Sequence, residues 1–338
     1  MALPSARLST VVPGVQMPVA TVHSPAAGAI DFYSRQALNR HRTWLLLTSF
    51  LLIFASLGLG LDVLWGGFLS ARGEPLPFVT LIALALSVAM SLSAYYAGPQ
   101  LVMTSLFAQP LNLDDPEHRQ LYNVVTEMAL ACGLPQPRVY VIPDPAPNAL
   151  ATGRDPRHAA LAVTQGLLNL LDREETQGVI AHEMAHIGNR DTLTMTLVAI
   201  LLGGAVMLAD WARRAVFLDS DRRRGNILVF LIVIVLIAVT PLLSRLLAMA
   251  VSRQREYLAD ATAAQLTRNP VGLANALEKI GAATSPLRAA TRGTAHLFIS
   301  NPLRRRVDEK DGHLADLLGT HPPLAQRIAI LRAMGHAA

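Results

Sequence analysis

Ala181-His182-Glu183-Met184-Ala185-His186 is a His-Glu-x-x-His pattern, and its reading decides how the rest of the chain is understood. Four residues make about one helical turn, roughly 6 Å of rise, so both imidazoles leave one helix face and can reach a single metal ion. Glu183 points beside them. Zinc held this way keeps a water and lowers its pKa to about 7, with a carboxylate next door to take the proton. That chemistry suits peptide-bond hydrolysis.

A short pattern arises by chance in unrelated helices, so its setting matters. Asp172 and Glu175 have the spacing of a capping box that starts a helix, and Gly188 is expected to stop it just after His186. A zinc site needs a third protein ligand. Downstream, Arg255-Glu256-Tyr257-Leu258-Ala259-Asp260 again sets two carboxylates four apart, so that one can bind metal while the other reaches a ligand imidazole. The same spacing also suits a solvated, salt-bridged helix start among arginines.

Four motifs occur in order: Asn148-Ala149-Leu150-Ala151-Thr152-Gly153, the His-Glu-x-x-His, Glu256-Tyr257-Leu258-Ala259-Asp260, and Thr320-His321-Pro322-Pro323. Together they resemble the HtpX-like membrane zinc metalloproteases, whose relatives include the CAAX prenyl proteases. The resemblance runs from about Trp44 to the C-terminus. It implies Glu256 as the third zinc ligand beside His182 and His186, Glu183 as general base, and Asp260 as the residue orienting a ligand histidine. It also places His321 at the site, a candidate donor to the developing oxyanion; Arg327, expected with Asp260 behind the ligands, is a weaker candidate for that role. Asn148, Ala149, Leu150, Ala151 and Thr152 are expected to form an edge strand that holds substrate as an added strand. The N-terminal arm of some forty residues falls outside the family pattern.

Of 338 residues, 52% are hydrophobic, and the mean hydropathy of +0.37 is too high for an ordinary soluble domain. The net charge of +5 comes largely from scattered arginines that flank apolar runs, which suits a membrane surface and argues against nucleic acid. Cys132 is the single cysteine, so no internal disulfide can form, and its apolar helix face makes it a core residue.

Taken in order, residues 1–40 read as a flexible arm. Residues 44–98 read as a transmembrane hairpin of two uncharged runs, Trp44 to Leu61 and Phe78 to Gly98, turning at Gly73-Glu74-Pro75. Residues 101–190 form the first part of a protease domain. In it, Asp115-Pro116 opens a helix whose face is Leu121, Val124, Val125, Met128 and Cys132 and which Gly133 stops. Strands follow at Arg138 to Ile142, Asn148 to Thr152 and Ala159 to Val163, and Thr164 caps a short helix. Residues 192–250 read as a second transmembrane hairpin, with runs Thr192 to Ala209 and Ile227 to Ser244, and residues 251–338 as the second part of the protease domain. No run carries an ionisable residue near its centre, which argues against transport.

The expected fold is an α-helical integral membrane protein with four transmembrane helices and a mainly helical (α+β) zincin-like metalloprotease domain carrying a small β-sheet. Because His182, His186 and Glu256 must meet on one side, each hairpin crosses an even number of times. Arg35, Arg40, Arg42, Arg190, Arg253 and Arg255 would share that side, which makes it cytoplasmic and the location the cell inner membrane. Arg213, Arg214 and Arg222-Arg223-Arg224, in the loop between the third and fourth runs, speak against that orientation unless the hairpin dips and returns. Polypeptides are the expected substrates, with the bilayer as the other partner; a site near the membrane and the resemblance together suggest unfolded or damaged membrane proteins. The rival is a membrane scaffold or chaperone-like protein with a structural zinc, and a lipid hydrolase on the same zinc is a third reading.

Overall fold

The protein is described by a computed structural model over residues 32–65, 68–71, 74–201, 203, 253–283, 285–291, 293–303 and 322–336. Most of the expected arm, the bulk of the second hairpin with its arginine loop, the segment 304–321 and therefore His321 lie outside these residues.

Helix α1 (Phe32–Trp65) and helix α2 (Phe78–Ser105) form an antiparallel pair joined through a two-stranded ribbon, β1 (Phe68–Ala71) and β2 (Glu74–Pro77). At 1.5 Å per residue, the 22-residue stretch Asn39–Gly60 and the 28 residues of α2 are each long and apolar enough to cross a bilayer. Leu45, Leu52, Leu81, Ile82 and Leu92 are all exposed on this pair, a belt that lipid would cover. The pair is closed at its far end by Asp62, whose carboxylate accepts from Val79 N, Thr80 N and Thr80 Oγ1 at 2.7–3.0 Å and so caps the first turn of α2. One boundary differs from the sequence expectation: α1 begins at Phe32, so the last residues of the supposed arm are helical, and Asn39 and Thr43 are buried. A search for uncharged runs starts the helix at Trp44 because polar residues that face protein do not register as membrane helix.

The protease domain begins with β3 (Gln109–Pro110) and α3 (Pro116–Cys132), the latter capped by Asp115 and ended by Gly133 in the left-handed region at φ 64°. Strands β4 (Arg138–Ile142), β5 (Ala149–Gly153) and β6 (Ala159–Thr164) complete a four-stranded mixed sheet of order β3-β4-β6-β5. β4 and β6 run parallel, and β5 returns antiparallel to β6 with Ala151 opposite Leu161. Thr164 caps α4 (Gln165–Leu170), and Asp172 with Glu175 closes a reciprocal capping box at the start of α5 (Arg173–Gly188).

α5 is the hub of the domain, packed between α3, β5, α7 (Arg253–Thr267) and α8 (Pro270–Ala282). Leu121, Val124 and Met128 from α3 meet Val179, Ile180, Met184 and Ile187 from α5 in the main core. Close approach to α8 depends on Gly178, where a Cβ would stand 2.9 Å from the Leu273 backbone. The helix stop also departs from expectation: Gly188 is still helical, and the left-handed residue is Arg190, at φ 58°. The chain then starts α6 (Asp191–Leu201) at once. The described part of the third apolar run is thus a buried helix packed on α1 and α2, with Leu197, Val198 and Leu201 against Leu46, Phe50 and Ile53. Two membrane-spanning candidates, not four, stand among the described residues. The last helix, α9 (Leu324–His336), lies on α8 and α7.

Candidate active site

The capped start of α5 fixes the phase of the helix, so His182 and His186 emerge on one face, against the first turn of α7. Their Nε2 atoms are 3.2 Å apart, and Glu256 brings Oε2 to 3.8 Å from His182 Nε2 and Oε1 to 3.7 Å from His186 Nε2. All three residues are buried, and their ligating atoms lie within 4.8 Å of one another.

Each imidazole is held from behind by a carboxylate. His182 Nδ1 is 2.9 Å from Asp260 Oδ1, and His186 Nδ1 is 3.2 Å from Asp191 Oδ2. With Nδ1–H turned to a carboxylate, both Nε2 lone pairs point at the same space, an arrangement that repels unless a cation lies there. Tetrahedral zinc with ligand bonds of about 2.0–2.2 Å separates its ligand atoms by roughly 3.4 Å; the two Nε2 atoms, 3.2 Å apart, come near that figure, and each lies 3.7–3.8 Å from a different oxygen of Glu256. The donor set, two imidazoles and one carboxylate, fits a zinc site with an open fourth position.

Glu183 is 2% exposed and stands outside this converging set. Burial, the largest influence, pushes its carboxyl up to about 7, opposed by the positive charge of His186 and by the N–H of Ala151, which donates to it. Burial first, then the charges of Arg327 and His186, lower the basicity of His182 against the opposing pull of Asp260. For His186 burial works the same way, but the hydrogen bond its Nδ1–H donates to Asp191 and the nearby carboxylates outweigh it and raise the ring to about 9.

Arg327 arrives from α9 as the largest fully buried side chain among the described residues. Nε and NH2 grip the two oxygens of Asp260 at 2.8 and 2.7 Å, and NH1 donates to Ile299 O at 3.0 Å while lying 3.5 Å from Glu256 Oε2. Although burial works to raise it, Asp260 is held down at about 2, chiefly by the Arg327 charge. The guanidinium clamps Asp260, as expected of a residue grouped with it, and also brings Nη2 to 3.5 Å from His182 Nε2.

β5 is an edge strand, with every residue from Ala149 to Gly153 buried. Its outer side already has neighbours: Ile299 N donates to Ala149 O at 3.0 Å, Ala151 N serves Glu183, and Gly153 N reaches Thr196 Oγ1 at 3.2 Å. Asn148 ties the strand to the following segment, its Nδ2 donating to Ser300 O at 2.9 Å. Asp191 was not singled out from the sequence. Its one signal is position, five residues beyond His186 and just past the end of α5.

The model of peptidase family M48 matches residues 115–335, from the cap of α3 to the end of α9. The chain belongs to peptidase family M48. Among curated relatives, the protease HtpX homologue of Caldanaerobacter subterraneus subsp. tengcongensis is 42% identical over 311 residues, 89% of this chain and 97% of that protein. The protease HtpX homologue of Dictyoglomus thermophilum is 47% identical over 220 residues, 65% of this chain and 70% of that one. A looser likeness, at TM-score 0.43 and 19% identity over 88% of this chain and 65% of the other, is to the crystal structure of S. mikatae Ste24p. As an HtpX-like M48 protein, the chain is a metallopeptidase with a His/Glu cluster able to hold its metal and two apolar helices able to cross a membrane.

Proposed function

We propose that this protein is a membrane-bound zinc endopeptidase, with His182, His186 and Glu256 as the zinc ligands. The observation that carries the reading is the convergence of both Nε2 atoms and the Glu256 carboxylate on one buried point, with Glu183 beside them and outside the set. Zinc bound there supplies a Lewis acid for the scissile carbonyl and lowers the pKa of a water to about 7. Glu183, poised near neutrality by burial, accepts the proton of the attacking water and delivers it to the leaving amine. Asp260 and Asp191 keep the ligand rings in the Nδ1–H tautomer, and Arg327 keeps Asp260 ionised.

His321 is the proposed donor to the oxyanion, and the β5 edge from Asn148 to Thr152 the proposed substrate strand. For a substrate to pair along β5, the Ile299–Ala149 contact has to yield. We place the site on the cytoplasmic side of the cell inner membrane, on the strength of Arg40, Arg190, Arg253 and Arg255 around it. Unfolded or damaged membrane proteins are the proposed substrates, in a quality-control role, because the ligand-bearing helix passes directly into α6 and its packing on the apolar hairpin. A scaffold with a structural zinc is less well supported. Such sites close the fourth position with a protein ligand, usually cysteine. Cys132 instead lies on α3 against the apolar core, where burial raises its thiol pKa.

The test is cleavage of casein by the purified chain in detergent with zinc, beside Glu183→Gln. The variant is expected to lose at least ~10²-fold in rate while keeping its metal. Cleavage at the wild-type rate would remove Glu183 from the mechanism, and a zinc-loaded wild-type protein that cuts nothing would favour the scaffold.

A further inference from the structure

His186 owes its orientation to Asp191, and Asp191 owes its own to the first apolar helix. Asn39 of α1 donates through Nδ2 to Asp191 Oδ1 at 2.7 Å and to Asn189 O at 3.0 Å, across 152 and 150 residues of sequence. Asn39 is 6% exposed and Asp191 2%. A cation also lies near that oxygen: Arg255 Nη1 is 3.7 Å away, an ion pair longer than a hydrogen bond. One turn along α1, Thr43 Oγ1 and Thr194 Oγ1 meet at 2.9 Å, a second polar rung between α1 and α6 that does not touch Asp191.

The chemistry of Asn39 is specific. Both of its partners are acceptors, so the position calls for a side chain offering two donors, which a primary amide supplies and a carboxylate cannot. With Oδ1 pinned by the amide and Oδ2 facing His186 Nδ1 at 3.2 Å, the Asp191 carboxylate has one orientation open to it. In a buried site the loss of the amide takes a hydrogen-bond donor from Oδ1, which then keeps the longer ion pair with Arg255 at 3.7 Å.

We propose that Asn39 is a positioning residue of the metal centre: from the first residue of the candidate membrane span it holds Asp191, and through it His186, in the orientation that presents Nε2. The inference rests on the zinc-site reading above. It makes α1 part of the site, so that a displacement of the membrane hairpin is felt at a metal ligand.

The experiment measures zinc affinity of the full-length chain in detergent, by competition with a chromophoric chelator, and the ligand-field spectrum of the cobalt-substituted protein. Asp191→Ala is expected to weaken zinc by ~10- to 100-fold, and Asn39→Leu and Asn39→Asp by about tenfold, the lower end of that range. Both Asn39 variants should shift the cobalt spectrum. In the double variant Asn39→Leu/Asp191→Ala the loss should not exceed that of Asp191→Ala alone, because the two act through one path. Thr43→Val, which breaks the neighbouring rung of the same helix contact, should leave affinity and spectrum unchanged. If Asn39→Leu fails to fold, Asn39→Ser, which retains one donor, carries the test with an intermediate loss. Wild-type affinity and spectrum in the Asn39 variants, additive losses in the double variant, or an equal loss in Thr43→Val would each overturn the proposal while leaving the zinc site standing. A wild-type protein that binds no zinc would instead overturn the site itself.

Discussion

Helices α3 and α5 are packed neighbours of nearly equal length, 17 and 16 residues, each opened by an aspartate cap, yet they solve opposite problems. α3 buries one stripe, Leu121, Val124, Val125, Met128 and Ala129, and gives its other face to solvent. α5 is buried over 13 residues, Glu175, Thr176, His182, Glu183 and His186 among them. A helix with no solvent face must find a protein partner for every polar group it carries. α5 finds Lys279 for Glu175, Asp260 for His182, Asp191 for His186 and the Ala151 N–H for Glu183. α3 is held by area, and α5 by pairings from four other elements.

If that contrast is right, the largest losses of stability follow from breaking pairings behind α5. Arg327→Ala leaves the Asp260 carboxylate buried without its clamp and is expected to cost about 3–5 kcal/mol, read from chemical denaturation in mild detergent. Replacing both partners by apolar side chains of similar size should recover much of that stability while zinc affinity stays low. A single Arg327 variant as stable as wild type would break the contrast. The cap of α3 is a local matter: Asp115→Ala removes one acceptor from Glu117 N and should cost ~1 kcal/mol with zinc content untouched.

The smallest effect is a pH dependence at the start of α5. Lys279 Nζ lies 2.7 Å from Glu175 Oε2, and that hydrogen bond, ahead of an opposing desolvation, raises the lysine pKa. A folded pKa raised above the unfolded one means that the contribution is complete below the ordinary lysine range and is lost as pH climbs through the folded value. The expected outcome is a shallow alkaline decline in melting temperature that is absent in Lys279→Met. An identical decline in the variant would assign it elsewhere.

Much of this arrangement is written in local sequence. The capping box Asp172/Glu175 sets the phase of α5, the i,i+4 spacing puts His182 and His186 on one face, and Asp115-Pro116 with Gly133 bounds α3; each acts within a few residues, so spacing alone reveals it. Glu256 and Asp260 were visible as a pair of carboxylates one turn apart, although spacing did not say which of them faces the ligand space.

What lay beyond the sequence is the set of contacts made across the chain. Asp191 behind His186, Asn39 behind Asp191, Arg327 turned to Asp260 and the Ala151 N–H at Glu183 join residues on α1, β5, α5, α6, α7 and α9. No periodicity encodes them, because a buried polar group is satisfied by whatever partner the packing of distant elements brings within about 3 Å. The sequence by itself determined which helix sets His182, Glu183 and His186 together; only the tertiary structure decided which side chains hold them in place, because orientation in a buried interior is settled by long-range pairing.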